Sequence, residues 1–289
     1  MTALRQKRAP AKAAAAVATP ALAGHLHLEA ALREDGRTIL AHQSFRAPFH
    51  LSKPYWDGGV LQVQIVNATA GILAGDRLEL AVRVADGAAL LVTTPAATRA
   101  FMMRSGAAEC RQFFSVAAGG WLEYAPEPLC PHRDCDYTQT TRLELAVGAE
   151  FFFIDTLAPG RVGRGEAWAW RRLRIQLDVV LDGEPILRER LDGSGADLAR
   201  TAAFYGAREA WFGTAVIVSP RLAPDDPIWA RVKELHGGGR WLGVTRLRRG
   251  GWIVRVVAPG GQALRDMLGE LRRTLAGKLP ALQGDLRKL

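Results

Sequence analysis

Residues 78–84 read Leu-Glu-Leu-Ala-Val-Arg-Val, an alternation of apolar side chains with polar or small ones. The same period of two recurs in residues 61–65 and 173–179. Because successive side chains of a β-strand point to opposite faces, one set faces a core and the other faces solvent or a second layer. Turn signals such as Asp86-Gly87 and Asp182-Gly183 separate these stretches. The pattern therefore predicts a chain built mainly of β-strands.

Helical signals are confined to the last third of the chain. Residues 227–236 follow the capping candidates Asp225 and Asp226 and end at Gly237. Residues 262–275 place their apolar side chains on one stripe. Strands and helices do not alternate along the chain, which argues against a Rossmann or TIM-barrel architecture. We also find no internal repeat of fixed period.

The charge of the chain indicates a class of partner. The 289 residues carry a formal net charge of +9, with arginines scattered singly or in pairs. There is no basic motif rich in aromatic residues, of the kind that binds single-stranded nucleic acid. The charge therefore favours an acidic protein partner over nucleic acid. The length allows one large all-β domain or two small ones.

Cysteine usage and hydropathy indicate the compartment. The three cysteines, Cys110, Cys130 and Cys135, are few and odd in number, unlike those of a disulfide-built secreted domain. No stretch reaches the roughly 18 uninterrupted apolar residues that a membrane-spanning helix needs. We therefore expect a cytoplasmic protein that does not bind a membrane.

Composition changes at both ends suggest the domain bounds. A basic start followed by an Ala-rich stretch loosely resembles a signal peptide, but the Ala-rich stretch is only weakly hydrophobic. We expect residues 1–24 to form a disordered tail. Residues 25–277 are expected to form a single β-rich domain, and residues 278–289 a C-terminal tail.

Motifs of common enzymes are missing from the sequence. There is no Gly-rich phosphate-binding loop, no His-Glu-x-x-His zinc motif and no Gly-x-Ser-x-Gly elbow. We therefore predict no catalytic residues and no enzymatic activity. A hydrolase that uses a metal ion in the 130–136 loop is the enzymatic alternative. A generic β-rich module that binds a ligand or nucleic acid is the other alternative.

The 130–136 loop holds the side chains best suited to a tightly bound metal ion. Cys130, His132, Asp134 and Cys135 supply thiolate, imidazole and carboxylate groups, all of which bind borderline metals such as Ni²⁺ or Zn²⁺. The spacing Cys-x-His-x-Asp-Cys is not a standard zinc pattern, and a second ligand pair is missing. The alternative is a polar surface turn with two ordinary thiols.

Three hydroxyls follow the apolar stretch 88–92. Thr93, Thr94 and Thr98 come directly after this predicted strand, separated by Pro95. Hydroxyls at such a position either line a hydrated passage or cap a tight turn. On their own they are poor metal ligands. Both interpretations stay open from these residues alone.

Carboxylates next to apolar strands form another group of candidates: Asp76, Glu123, Asp155, Glu166 and Glu189. Asp155 is the most informative, because it directly follows the apolar residues 151–154. A carboxylate at that position is either half-buried and paired, with Arg161 as a nearby candidate, or it faces a cavity. Each of the others is alternatively a turn or surface residue.

These segments resemble, in order, the signature elements of the UreD family of urease accessory proteins, also called UreH. Residues 69–76, with Gly75 and Asp76, resemble the family's Gly-rich turn that ends in Gly-Gly-Asp. Residues 91–99 are similar to its Thr-Thr-Pro-Ala-Ala-Thr-Lys signature. This second match is the most specific one.

Three further segments extend the resemblance. Residues 119–126 resemble the family's Gly-Ala-x-Leu-Glu-Trp-Leu-Pro segment. Gly160-Arg161, followed by Gly165-Glu166, resembles its Gly-Arg-x-x-x-Gly-Glu element, and residues 182–190 complete the series. Together the matches span residues 24–275 and are much stronger than any one alone.

The resemblance implies a fold and a function. The implied fold is an elongated arrangement of stacked sheets, β-helix-like in character, with about two helices in the C-terminal third. The implied function is that of a metallochaperone scaffold required for nickel insertion into apo-urease. Its expected partners are a UreF-type helical accessory protein, a UreG-type GTPase that carries the nickel, and apo-urease itself. Nickel would be bound transiently, with no tightly bound cofactor.

The family is also proposed to offer nickel a water-filled passage. Such a passage needs weak oxygen ligands spaced along it, because an ion must be able to leave each site. Hydroxyls and carboxylates next to apolar strands meet that requirement. The passage candidates are Asp76, Thr94, Thr98, Asp155 and Glu189.

Overall fold

A computed structural model describes residues 21–286, so most of the predicted N-terminal tail lies outside the described residues. The strands, in chain order, are β1 (Ala23–Leu32), β2 (Thr38–Arg46), β3 (Phe49–Leu51), β4 (Tyr55–Asp57), β5 (Val60–Asn67), β6 (Arg77–Val84), β7 (Ala89–Thr93), β8 (Thr98–Ala100), β9 (Ala108–Val116), β10 (Trp121–Ala125), β11 (Leu129–Pro131), β12 (Asp136–Leu145), β13 (Glu150–Leu157), β14 (Gly160–Arg161), β15 (Glu166–Ala167), β16 (Arg172–Leu181), β17 (Glu184–Gly193), β18 (Trp211–Val218), β19 (Trp241–Arg246) and β20 (Trp252–Ala258). The helices are α1 (Gly195–Phe204), α2 (Ile228–Lys233) and α3 (Gly261–Ala276), with 3₁₀ turns at Val162–Arg164 and Pro280–Gln283.

The strands form two large sheets that face each other. The first sheet has the order β17-β16-β12-β9-β6-β1-β2, and the second has the order β19-β20-β18-β13-β10-β7-β5-β3. The inner strands of both sheets pair in parallel. From β5 to β16 the chain passes back and forth between the sheets, so it winds as a β-solenoid. The predicted architecture, mainly β with stacked, β-helix-like sheets, is confirmed.

The solenoid turns between the sheets repeat one glycine. Gly87, Gly119 and Gly148 precede β7, β10 and β13, and each has a positive φ, of 66°, 65° and 80°. The turns are also hydrogen-bonded to one another, since the Gly119 amide donates to the Gly148 carbonyl at 3.1 Å. Glycine adopts this left-handed backbone at little cost. The repeat escapes the sequence analysis because only the short turn recurs, while the strands between differ.

The main apolar core fills the space between the sheets. Aromatic rings dominate its centre, with Phe114 and Tyr124 at a ring-centroid distance of 4.6 Å and Tyr124 and Phe153 at 5.5 Å. A second core lies on the opposite face of the second sheet, which α2 and α3 cover. Gln62 and Gln64, which alternate with apolar residues in β5, are therefore buried and not exposed to solvent.

Both predicted helices are present, and a third was not predicted. Helix α2 begins next to Asp226, whose Oδ1 accepts a hydrogen bond from the Ile228 amide at 2.9 Å. Helix α3 packs its apolar stripe against the second sheet. The additional helix, α1, starts with a capping box between Ser194 and Asp197. The pattern Ser-x-x-Asp was the available sequence signal for it.

The segment after α3 continues to pack against the domain. Its 3₁₀ turn buries Leu282, and Leu279 just before the turn is buried as well. Within the described part of the chain, no helix is both long and apolar enough to cross a membrane.

Candidate functional site

Polar side chains interrupt the apolar core between the sheets. In the first sheet, the registers of β9, β12, β16 and β17 bring Gln112 and Glu189 to one level. In the second sheet, the registers of β13, β18 and β20 place Asp155, Thr214 and Arg255 side by side. This row runs across the strands, in the direction in which the coils stack. A row of polar side chains therefore crosses the otherwise apolar interior of the solenoid.

Three contiguous cavities follow this row. The inner cavity, of about 140 Å³, lies beside the segment 94–99 and extends to Gln112, Tyr124 and Gln139. The neck, of about 30 Å³, shares those three residues with the inner cavity. The mouth, of about 430 Å³, lies between the edge strand β17 of the first sheet and β20 of the second. Asp155 lines both the neck and the mouth, so it stands at the junction between them.

Among residues 21–286, no basic side chain forms an ion pair with Asp155. Its Oδ2 accepts a hydrogen bond of 3.1 Å from Gln139 Nε2. Burial raises the pKa of the Asp155 carboxyl from 3.8 to about 6, against the lowering effect of hydrogen bonds from Thr156 and Gln139. Arg161, the partner considered above, pairs with Glu166 instead, at 2.7 Å. Of the two interpretations, the geometry favours the carboxylate that faces a cavity.

Glu189 projects into the mouth from the edge strand β17. Its carboxylate forms an ion pair with Arg255 of β20, so the pair connects the two sheets across the opening. Arg188 and Arg190 also line the mouth, but both pair with Asp178, at 3.1 and 2.9 Å. Glu189 and Asp155 are therefore the carboxylates that face this cavity.

The three threonines have different roles. The Thr93 hydroxyl is buried and donates to the Ala125 carbonyl at 2.6 Å, which ties β7 to β10. The Thr94 hydroxyl accepts from the Glu127 amide at 2.8 Å, as a turn-capping residue does, although Thr94 also lines the inner cavity. Thr98 lines both the inner cavity and the neck. Thr98 thus has the clearest position on the row.

Asp76 stands apart from the cavities described above. It is buried, and its two carboxylate oxygens accept hydrogen bonds from the backbone amides of Leu22 at 3.0 Å and Leu73 at 2.8 Å. These contacts connect the start of β1 to the Gly-rich turn before β6. We therefore assign Asp76 a structural role and leave it out of the row.

Comparisons with known proteins identify the family. The family model described as UreD urease accessory protein matches residues 22–287. The chain belongs to the UreD family of urease accessory proteins. A urease accessory protein UreD from Opitutus terrae is 53% identical over 270 residues, which cover 92% of this chain and 99% of that one. Relatives of the same name from Alkalilimnicola ehrlichii and Deinococcus radiodurans are each 32% identical, over 92% and 89% of this chain and 90% and 92% of their own.

The UreD signature around Gly160 forms a small hairpin. Arg161 in β14 donates to both carboxylate oxygens of Glu166 in β15, at 2.7 to 2.9 Å. This hydrogen bonding holds the pKa of Glu166 below its ordinary value. Gly160 has a φ of 115°, and a Cβ there would lie 2.4 Å from the Glu166 carbonyl oxygen. The motif therefore builds a rigid turn, and its charges neutralise each other.

Two other UreD signature residues also serve the structure. Glu123 is fully buried in β10 and pairs with Arg272 of α3. Gly75 has a φ of 89° in the turn that Asp76 stabilises. Neither residue lines the neck or the mouth.

The 130–136 loop of this UreD chain packs inward. Cys135 and His132 are buried, and Cys130 is half-buried. Burial raises the pKa of Cys135 to about 12 and lowers the pKa of His132, and no group in the described part of the chain hydrogen-bonds to His132 Nε2. In residues 21–286, no group of three or more His, Cys, Asp or Glu side chains is arranged to hold a metal ion.

Several polar residues of the row and of the cavity walls were not singled out from the sequence. They are the inward-facing polar side chains Gln112, Tyr124, Gln139, Thr141, Thr214 and Arg255. The available signal was weak: Gln139 and Thr141 continue the period-two set of Tyr137, Leu143 and Leu145 in β12. A polar residue within an apolar set marks a buried polar contact.

Proposed function

We propose that this UreD-family chain acts in the cytoplasm as a non-enzymatic scaffold for nickel insertion into apo-urease. Its proposed partners are a UreF-type helical accessory protein, a UreG-type GTPase that carries nickel, and apo-urease. In this proposal nickel is a transient cargo that crosses the chain between its two sheets. The observation that carries the proposal is the contiguity of three cavities along one row of oxygen-bearing side chains.

The chemistry of the row suits transit better than storage. Its ligands are hydroxyls, amides and single carboxylates, with Thr98 near one end, Asp155 at the junction and Glu189 in the mouth. Oxygen ligands bind a borderline divalent ion such as Ni²⁺ more weakly than imidazole or thiolate do. An ion is therefore attracted to each point but can leave it again, which conduction requires.

The Asp155 carboxylate gives the proposed passage a proton dependence. With a pKa of about 6, Asp155 is mostly ionised at neutral pH and mostly protonated at pH 5. A cation competes with the proton for this carboxylate. Binding of nickel at Asp155 is therefore expected to weaken as the pH falls through 6.

Co-expression with a urease operon that lacks only its own UreD-type gene tests the proposal. Restored nickel content and urea hydrolysis support the accessory role. The passage is tested separately by Asp155→Ala and Glu189→Ala, which should lower urease activation while the accessory complex still assembles. Full activation in both variants contradicts the passage. Failure to restore activity, together with failure to bind the helical accessory protein, contradicts the scaffold role.

A further inference from the structure

The neck is too small for a fully hydrated divalent cation. Its volume is about 30 Å³, compared with about 140 Å³ for the inner cavity and about 430 Å³ for the mouth. A buried water needs at least about 10 to 15 Å³ of such volume, so the neck holds about two waters. A hexacoordinate divalent ion that is free in solution is surrounded by about six waters. An ion that passes the neck must therefore exchange part of its water shell for protein oxygens.

Two amide side chains of the first sheet, those of Gln112 and Gln139, line this neck. Gln112 Oε1 accepts from the Thr141 hydroxyl at 3.0 Å, and Gln139 Oε1 accepts from the Tyr137 hydroxyl at 3.4 Å. On the other side, Gln139 Nε2 donates to Asp155. Gln112 Nε2 in turn donates to the Tyr124 hydroxyl at 3.5 Å, so each amide is held in orientation at both of its ends. An amide oxygen has two lone pairs, so one hydrogen bond leaves a site for a cation.

The remaining polar groups of the neck are also oxygen donors. Thr98 and Tyr124 contribute hydroxyls, and Asp155 and Glu127 contribute carboxylates. Burial raises the pKa of Tyr124, so its hydroxyl stays neutral. The Glu127 carboxylate is engaged by Arg265 at 3.2 Å. The neck therefore offers mostly neutral oxygens, with the Asp155 carboxylate on the side of the mouth.

We infer that Gln112 and Gln139 form an oxygen filter in the neck, where a divalent cation exchanges part of its water shell for the two amide oxygens. The inference rests on the proposed passage and assigns it a specificity-determining step. Ring-like sets of carbonyl oxygens replace water in this way in ion-selective pores. The amides act as neutral ligands, so they lower the cost of dehydration without trapping the ion.

Replacement of Gln139 in the assembled complex tests the filter. Gln139→Leu keeps the approximate size of the side chain and removes its oxygen. The chain is co-purified with its accessory partners and apo-urease, and nickel per urease is measured over time by mass spectrometry. We expect about a tenfold slower loading, the effect of losing one polar contact to a charged group. Gln139→Glu restores an oxygen ligand and should load faster than Gln139→Leu.

The matched control is Gln62→Leu, the same chemical change at a buried glutamine of β5 that lines none of the three cavities. It should leave the loading rate unchanged. Gln112→Leu provides a second test from the neighbouring strand in case Gln139→Leu fails to assemble. Thermal unfolding and gel filtration of every variant separate a loading defect from a folding defect.

The outcomes distinguish the filter from the passage. Slow loading in Gln139→Leu with faster loading in Gln139→Glu supports the filter. Parental loading in both Gln139→Leu and Gln112→Leu, with slow loading in Asp155→Ala, overturns the filter and leaves the passage standing. Parental loading in all of these variants overturns both.

Discussion

Arg272 of helix α3 donates hydrogen bonds of 2.7 and 3.0 Å to the two carboxylate oxygens of Glu123 in β10, across 149 residues of sequence. The Glu123 side chain is fully buried, and only 10% of the Arg272 side chain is exposed. Arg272 also donates to the Gly284 carbonyl at 2.7 Å. One guanidinium thus joins the helix, the second sheet and the C-terminal segment.

Removal of either partner should strongly destabilise the fold. Arg272→Met leaves the Glu123 carboxylate buried without its counter-charge, which typically costs about 3 to 5 kcal/mol. Urea unfolding monitored by circular dichroism measures this loss. The control is Arg265→Met, because Arg265 is largely exposed and its pair with Glu127 is expected to contribute less than about 1 kcal/mol. Equal losses in both variants would contradict a special role for the buried pair.

Asp155 should make the stability depend on pH. Its pKa is about 6 in the folded chain and 3.8 as the ordinary value, so the folded state binds the proton more tightly. The free energy of unfolding should therefore fall as the pH rises from about 4 to 6 and stay level above, by up to about 3 kcal/mol. Asp155→Asn should remove this slope. Urea unfolding at pH 4.5 and 7 compares the two proteins, and an unchanged slope in the variant would rule out Asp155 as its source.

Arg255 should restrain cation entry at the mouth. It neutralises Glu189, so Arg255→Gln leaves a carboxylate without its counter-charge beside the cavity. We expect nickel loading of urease to become about two- to threefold faster at low ionic strength, with a smaller difference at high salt. Arg142→Gln is the control, since Arg142 pairs with Glu144 and does not line the mouth. Slower loading in Arg255→Gln would instead show that the ion pair holds the mouth in shape.

A side chain added at the glycines of the solenoid turns should lower the free energy of unfolding. Gly119 has a φ of 65° but no atom closer than 3.9 Å to an added Cβ, so Gly119→Ala tests backbone strain without a clash. We expect a loss of about 1 to 2 kcal/mol in the free energy of unfolding. Gly163→Ala, at a site with ordinary φ and open space, is the control and should be close to neutral. A neutral effect at Gly119 would mean that the turn can relax.

The cysteines should differ in reactivity. Burial raises the pKa of Cys110 and Cys135 to about 12 each, and both thiols are buried. Cys130 is half-buried, so it should be alkylated first by iodoacetamide, with the other two protected until the chain unfolds. Peptide mass spectrometry after timed labelling reports the order. Early labelling of Cys135 would show that the 130–136 loop opens in solution.

Part of this arrangement could be predicted from the sequence, and the physical reason for the rest is clear. The alternation in residues 78–84 predicts β6 correctly, since period two is a local property. The period-two set of Tyr137, Leu143 and Leu145 indicates that Gln139 faces inward. Its hydrogen bond to Asp155 of the opposite sheet is not a local property, and nothing near Gln139 in the sequence reveals it. Likewise, nothing near Asp76 reveals that the distant Leu22 amide occupies one of its oxygens.

The candidate carboxylates divide along the same line. Asp155 and Glu189 stand out in the sequence because a carboxylate beside an apolar strand needs an explanation. Glu123 stands out for the same reason, yet its partner Arg272 is too distant in sequence to be paired with it by spacing. A carboxylate that faces a cavity and one that pairs with a buried arginine differ only in what the fold brings next to them.

The spacing of the stacked strands also sets the distance between successive positions along the row. Two neighbouring strands of each sheet contribute polar side chains to the neck: Gln112 of β9 and Gln139 of β12 in the first sheet, and Tyr124 of β10 and Asp155 of β13 in the second. Neighbouring strands lie about 4.8 Å apart, so an ion in the proposed passage would advance in steps of one strand spacing. Insertion or deletion of a whole coil would lengthen or shorten the route by that step and leave its width unchanged. The number of coils therefore sets the length of the route, and the packing between the two sheets sets its width.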